Sequence, residues 1–168
     1  TNVFFEGISS SYWYPVTPMD LEHPCVGLLQ DANWWGKTKE MLILKDVLGK
    51  MPHVTFYWAG DGPYREQIMK ELDGYKNFKW LGRLDYPDKV REFLNGIDVY
   101  ALITGMDLAP LTLKEAQLME KPVVATDVGG VGEMMLDKKT GFLVEEGNHT
   151  DLINKLSMLF EDKNLAVI

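Results

Sequence analysis

Two acids flank a proline in the stretch MDLAPLTLKEAQLMEKPVVATDVGG, residues 106–130. Asp107 and Glu115 have seven residues between them, Pro110 among these, and the glycine pair Gly129–Gly130 follows a β-rich run. Thr112 stands three residues before Glu115, ahead of the helical pattern LKEAQLME. That spacing fits a capping box, in which Thr112 caps the helix and Glu115 reaches back to the Thr112 amide. The same residues admit a second role. A helix that starts at the carboxyl end of a parallel strand turns free N–H groups and its positive dipole end toward the ligand crevice, which suits a phosphate. A carboxylate one turn into that helix can accept two hydrogen bonds from a vicinal diol such as a ribose. Both readings stand at this point.

Other loops offer fewer chemical groups. Lys37 follows Gly36 just before a helical pattern and can meet a phosphate, although an exposed lysine is more often only solvated. Trp34 and Trp35 are adjacent, so one is expected to pack while the other lines a cleft or an interdomain face. AGDGPYREQI, residues 59–68, reads as a strand, a tight turn and a helix with Pro63 at the first helical position. It is not the dinucleotide fingerprint, because Arg65 stands where the third glycine is needed. DVGGVGE, residues 127–133, is a second strand–glycine–helix junction. There is no D-x-D triplet to clamp Mg²⁺ or Mn²⁺ on a diphosphate, no P-loop and no G-x-S-x-G elbow. Cys25 is the only cysteine, and His23, His53 and His149 show no metal-ligand spacing, so no metal is expected in the site.

These groups must be positioned by the elements between them. Six β-rich runs are predicted: CVGLL (25–29), HVTFYWAG (53–60), NFKWLG (77–82), DVYALI (98–103), PVVATDV (122–128) and GFLVE (141–145). They are apolar on both parities, as strands buried on both faces are. Between them lie helical stripes such as Met41, Leu44, Val47, Leu48 and Met51, or Leu152, Ile153, Leu156, Leu159 and Phe160. Strands alternating with helices predict an α/β fold, a Rossmann-like doubly wound parallel sheet of about six strands. Ligands of such sheets bind outside the carboxyl ends of the strands. The acid pair, the glycine pair and Lys37 all fall in or beside loops at that end.

Composition narrows the classes. The chain has 168 residues, 46% of them hydrophobic, enough for one domain with a real core. Its net charge of −8 disfavours general binding to nucleic acid or anionic lipid. No apolar run reaches membrane-spanning length and no signal peptide is visible, so a cytoplasmic location is expected. Residues 1–24, rich in Ser, Pro and aromatics toward their end, read as a linker segment, and residues 25–168 as the domain proper.

Taken in order, these motifs resemble the C-terminal domain of retaining GT-B glycosyltransferases of family 4, the glycosyl transferases group 1. WAGDGPYREQIMKEL is similar to the family's G-x-G-P-x-x-x-x-L segment, FKWLGRL to its next strand and base-binding loop, and LKEAQLMEKPVVATDVGGVGEMMLDKKTGFLV to its LEAMA-x-GKPVVAT-x-x-GG-x-x-E…G-x-LV stretch. The match covers about residues 25–162. It implies a donor-binding domain for a UDP-, GDP- or ADP-sugar, joined in the whole polypeptide to an N-terminal domain that binds the acceptor. Membrane contact through that other domain is left open. By resemblance, Glu115 holds the ribose hydroxyls and Asp107 faces the donor sugar. The diphosphate falls to the amides of Leu111 and Thr112, the helix dipole and Lys37, and the base to the loop of Gly82, Arg83 and Leu84. No cofactor beyond the donor is implied.

The chain departs from the family pattern in three places. Asp107 replaces glutamate. Pro110 stands where the pattern has a glycine-rich turn, and Ala32 where it often has an arginine. These departures leave room for a non-catalytic nucleotide-sugar-binding or partner-docking module. A nucleotide-sugar epimerase or a phosphorylase of the same fold is a further alternative.

Overall fold

The structure, a computed structural model, describes residues 7–162. The apolar VFF run at residues 3–5 and the last six positions of the predicted domain lie outside the described residues. Six strands form one sheet: β1 (Cys25–Leu29), β2 (Thr55–Ala59), β3 (Phe78–Gly82), β4 (Val99–Leu102), β5 (Val123–Thr126) and β6 (Phe142–Val144). Every pairing is parallel and the order is β3-β2-β1-β4-β5-β6. Each strand lies within its predicted run. The expectation of burial on both faces holds for β1, β2, β4 and β5 and fails for β3, where Lys79 and Trp80 reach solvent because that strand is a sheet edge.

Side chains alternate along each inner strand, as a two-residue period requires. Val26, Leu28, Phe56, Trp58, Val99 and Ala101 enter one apolar core with α2 (Leu44–Lys50), α3 (Arg65–Leu72) and α6 (His149–Glu161). Leu29, Tyr57, Ala59, Tyr100 and Leu102 enter a second core with α4 (Asp88–Gly96) and α5 (Leu111–Leu118). The connections after β1 and β2 cover the first face and those after β3 and β4 the second. The winding therefore reverses between β1 and β4, which opens a crevice at their carboxyl ends. A short α1 (Trp35–Thr38) stands at the lip of that crevice.

Part of the predicted linker packs on the second face. Trp13 is buried in that core, the Asn95 amide donates to the Val16 carbonyl at 2.6 Å, and the Met19 amide to the Glu92 carbonyl at 2.9 Å. Pro63 does not open a helix as predicted. The Arg65 amide donates to the Gly62 carbonyl and the Tyr64 amide to the Ala32 carbonyl, both at 3.1 Å, so Pro63 and Tyr64 complete a turn and α3 begins at Arg65.

Side chains replace backbone pairing where β1 and β4 diverge. The buried Gln30 amide donates to the Ile103 carbonyl at 2.7 Å and accepts from the Ile103 N–H at 3.1 Å. This side chain extends the β1–β4 ladder past its last backbone pair. Thr126 does the same between β4 and β5, accepting from the Thr104 amide at 3.1 Å and donating to the Leu102 carbonyl at 3.2 Å. Gln30→Leu keeps the volume and orphans both Ile103 groups, each costing about 1–3 kcal/mol when buried and unpaired. Urea denaturation is expected to show that loss, and an unchanged midpoint would mean water replaces the amide.

Candidate functional site

Glu115 lies one turn into α5 and is 4% exposed. α5 is fixed from below by Leu113 and Ala116, both fully buried in the second core. Its start does not form the predicted capping box. The helix begins at Leu111 with Pro110 at the N-cap, and no side chain caps it. Thr112 is inside the first turn, its Oγ1 2.7 Å from the buried Tyr100 hydroxyl, so its side chain is spent on the core. Proline supplies no N–H. The amides of Leu111 and Thr112 therefore belong to the uncapped end that carries the positive pole of the helix.

A cleft of about 290 Å³ runs from Glu115, Leu111 and Thr112 across the ends of β1 and β2 to Arg83 and Leu84. Of the predicted binding residues, five thus meet in one cavity. Gly82 stands just behind it with φ +74°, its carbonyl accepting from the Gly60 amide at 2.9 Å. Arg83 reaches Asp31 at 3.4 Å. Tyr86, Gln30 and Asp31 also line the cleft and were not foreseen. Tyr86 falls in a loop at the correct end of the sheet, and an aromatic ring with a polar tip there was the available signal. It lies edge-on to Trp13, ring centroids 6.0 Å apart.

Burial pushes the Glu115 carboxyl above its ordinary value of 4.5, and the Tyr86 hydroxyl works against that shift. No cation among the described residues offsets the burial.

Lys37 and Asp107 lie outside this cavity and meet each other. The Lys37 ammonium donates to Asp107 Oδ2, with the lysine side chain 32% and the aspartate 11% exposed. Backbone contacts bring them together. The Gly105 amide donates to the Lys37 carbonyl at 2.9 Å and the Gly130 amide to the Asp107 carbonyl at 2.9 Å. A Cβ on Gly130 would lie 1.9 Å from the Leu108 carbonyl oxygen, and one on Gly129 2.0 Å from that of Asp107. The glycine pair is therefore needed for the 127–130 loop to press against the loop carrying Asp107. Of the two tryptophans, Trp34 is 52% exposed and Trp35 packs on Tyr64, ring centroids 5.6 Å apart. Ala32 is fully buried, its amide donating to the Asp61 carbonyl at 2.9 Å, so this position supplies no cation to the crevice.

Because its pKa is raised, Glu115 holds its proton more tightly in the folded chain than in the unfolded one. That contribution is full below the unfolded value near 4.5 and is lost as pH rises through the folded value. Glu115→Gln, neutral throughout, is expected to be more stable than the parent at pH 7 and to lose the advantage as pH falls toward 4.5. Paired urea melts at the two pH values check this, and an advantage independent of pH would contradict it.

Residues 29–162 match the family described as Glycosyl transferases group 1. A sulfoquinovosyl transferase of Arabidopsis thaliana is 30% identical over 136 residues, 79% of this chain but 26% of that protein. The chain thus spans about a quarter of that relative. A crystal structure of the C-terminal domain of a glycosyl transferase group 1 family protein from Francisella tularensis superposes with a TM-score of 0.74 at 20% identity, covering 95% of this chain and 91% of the other. An Anabaena protein crystallised with UDP and glucose superposes with a TM-score of 0.70 at 25% identity, over 85% of this chain and 40% of the other.

Proposed function

The chain belongs to the glycosyl transferases group 1, and from that premise we propose that it is the donor-binding domain of a retaining, GT-B glycosyltransferase. It would move a sugar from a nucleoside diphosphate to an acceptor held by an N-terminal domain of the same polypeptide, in the cytoplasm. The observation that carries this reading is the single cleft in which Glu115, the Leu111 and Thr112 amides and the Arg83–Leu84 loop converge. The Anabaena neighbour, whose structure contains UDP, supports a nucleoside diphosphate as the occupant.

Each part of the donor meets a matching group. The ribose diol donates to the Glu115 carboxylate, which has no cation partner among the described residues. The base lies toward Arg83 and Leu84. The diphosphate takes the first-turn amides of α5, where its charge also gains from the helix dipole. Lys37 is the mobile cation. Leaving Asp107 for the diphosphate, it stabilises the departing negative charge and frees the Asp107 carboxylate for the sugar. The sugar passes through an oxocarbenium-like state, and a carboxylate beside its ring stabilises the positive charge that develops there. In this scheme a protein cation and backbone dipoles take the place that a metal holds in other phosphate sites. No helix among the described residues is long and apolar enough to cross a membrane.

The Lys37–Asp107 pair also favours a second reading, a module that binds the nucleotide sugar without transferring it. There the pair is a permanent strut. Release of nucleoside diphosphate that requires both acceptor and the complete polypeptide separates transfer from storage.

Titration with UDP, GDP and ADP tests the site. Glu115→Ala is expected to weaken nucleotide binding by about 1.5–3 kcal/mol, the range of a hydrogen bond to a charged group, which is roughly ten- to a hundredfold. Unchanged affinity would remove Glu115 from the ribose. Lys37→Ala is expected to weaken a nucleoside diphosphate more than the bare nucleoside, and equal losses would take Lys37 off the phosphates.

A further inference from the structure

At the opposite end of the sheet from the donor cleft, three groups of different chemistry converge. His23 is the next-to-last residue of the linker segment, Cys25 opens β1 and Asp98 immediately precedes β4. His23 Nδ1 lies 2.8 Å from Asp98 Oδ2 and 3.7 Å from Cys25 Sγ, and the three atoms lie within 4.8 Å of one another. A tetrahedral zinc ion, with bonds of about 2.3 Å to sulfur and about 2.0 Å to nitrogen, separates those two ligands by about 3.5 Å. The sulfur–nitrogen spacing is thus nearly that of a ligated ion. The nitrogen–oxygen pair must open by roughly half an ångström, and the imidazole, 52% exposed, has the freedom to do so.

We propose that His23, Cys25 and Asp98 form a three-ligand site for a thiophilic divalent cation, zinc above all, with water in the fourth position. Charge supports it. A thiolate and a carboxylate neutralise a dication, and the bound ion must overcome the burial that pushes the pKa of the free Cys25 thiol up to about 12. The Lys121 ammonium keeps its charge but is tied back by the Asn95 and Ile97 carbonyls at 3.2 and 3.0 Å. A cavity of about 710 Å³ reaches His23 and Asp98 and gives the water ligand room, while Cys25 is fully buried behind them and would be the last ligand to engage. On binding, the Cys25 thiol proton passes to solvent and a sulfur–metal bond replaces it. His23 gives its Nδ1 lone pair to the ion in place of its contact with Asp98. Asp98 Oδ2 also accepts from the Cys25 amide at 2.8 Å, which keeps it aimed at the start of β1. The ion would clip the linker to the first residues of β1 and β4. This inference is independent of the reading of the donor cleft.

Cobalt(II) is the probe, titrated into the untagged chain. The site predicts one equivalent bound, with a thiolate-to-cobalt charge-transfer band in the near ultraviolet and the visible bands of a tetrahedral ion. Zinc should displace the cobalt and raise the melting temperature. Cys25→Ser is expected to abolish the charge-transfer band. His23→Ala, a change at a half-exposed side chain, should lower cobalt affinity at least tenfold while leaving UDP binding unchanged. Absence of the charge-transfer band, an unaltered cobalt affinity in His23→Ala, or a zinc-dependent rise in melting temperature that survives both substitutions would overturn the proposal.

Discussion

A buried carboxylate that no cation among the described residues offsets is the interaction on which the rest of this structure turns. Burial of a charged group is costly unless it is paired or strongly hydrogen-bonded. Glu115 nonetheless sits at 4% exposure on a helix whose inner side is fixed by Leu113 and Ala116. Its carboxylate and the uncapped amides of the same helix open on one cavity, acceptors beside donors. An arrangement that is unfavourable for the folded chain alone becomes favourable when a ligand brings hydroxyl donors and anionic oxygens in the matching order. The sheet places it there, since the winding reverses between β1 and β4 and Gln30 closes the ladder just beneath.

Lys37 and Asp107 follow a different logic. They stand 70 positions apart and neutralise each other at the cleft's edge, so neither charge is left unpaired in the free protein. The pair is partly buried, the aspartate more than the lysine, so removing one partner leaves the other charge in want of a new one. The close-packed glycines at 129 and 130 hold the backbone of the Asp107 loop. Asp107 is one methylene shorter than the glutamate of the pattern it resembles, and in this structure it still reaches Lys37.

Much of the fold was legible because burial dictates it. The β1 run CVGLL coincides with the strand, and the other five runs each contain theirs with one to two residues of overshoot at the ends. Overshoot is expected where apolar loop residues such as Ile103 continue the pattern beyond the last backbone pair. The site was legible in part. Glu115, Leu111, Thr112, Arg83 and Leu84 line one cavity, yet the expected capping box does not form. Its Thr112 spacing is correct, but Pro110 already occupies the cap, and Tyr100, one strand below, offers the threonine a buried partner. Tyr86 carried only a general signal, a polar-tipped ring in a loop at the right end of the sheet. Its importance comes from reaching Glu115 across the sheet end, a contact that no local period encodes. His23, Cys25 and Asp98 were hidden in the same way, because parallel pairing of β1 with β4 brings residue 98 beside residue 25.

The most direct test of the donor site is a crystal structure of this chain with UDP, or with whichever nucleoside diphosphate binds tightest. Both ribose hydroxyls are expected on the Glu115 oxygens, phosphate oxygens on the Leu111 and Thr112 amides, and the Lys37 ammonium moved from Asp107 to the diphosphate. A nucleotide bound elsewhere, or one whose ribose leaves Glu115 untouched while Lys37 stays on Asp107, would contradict this assignment.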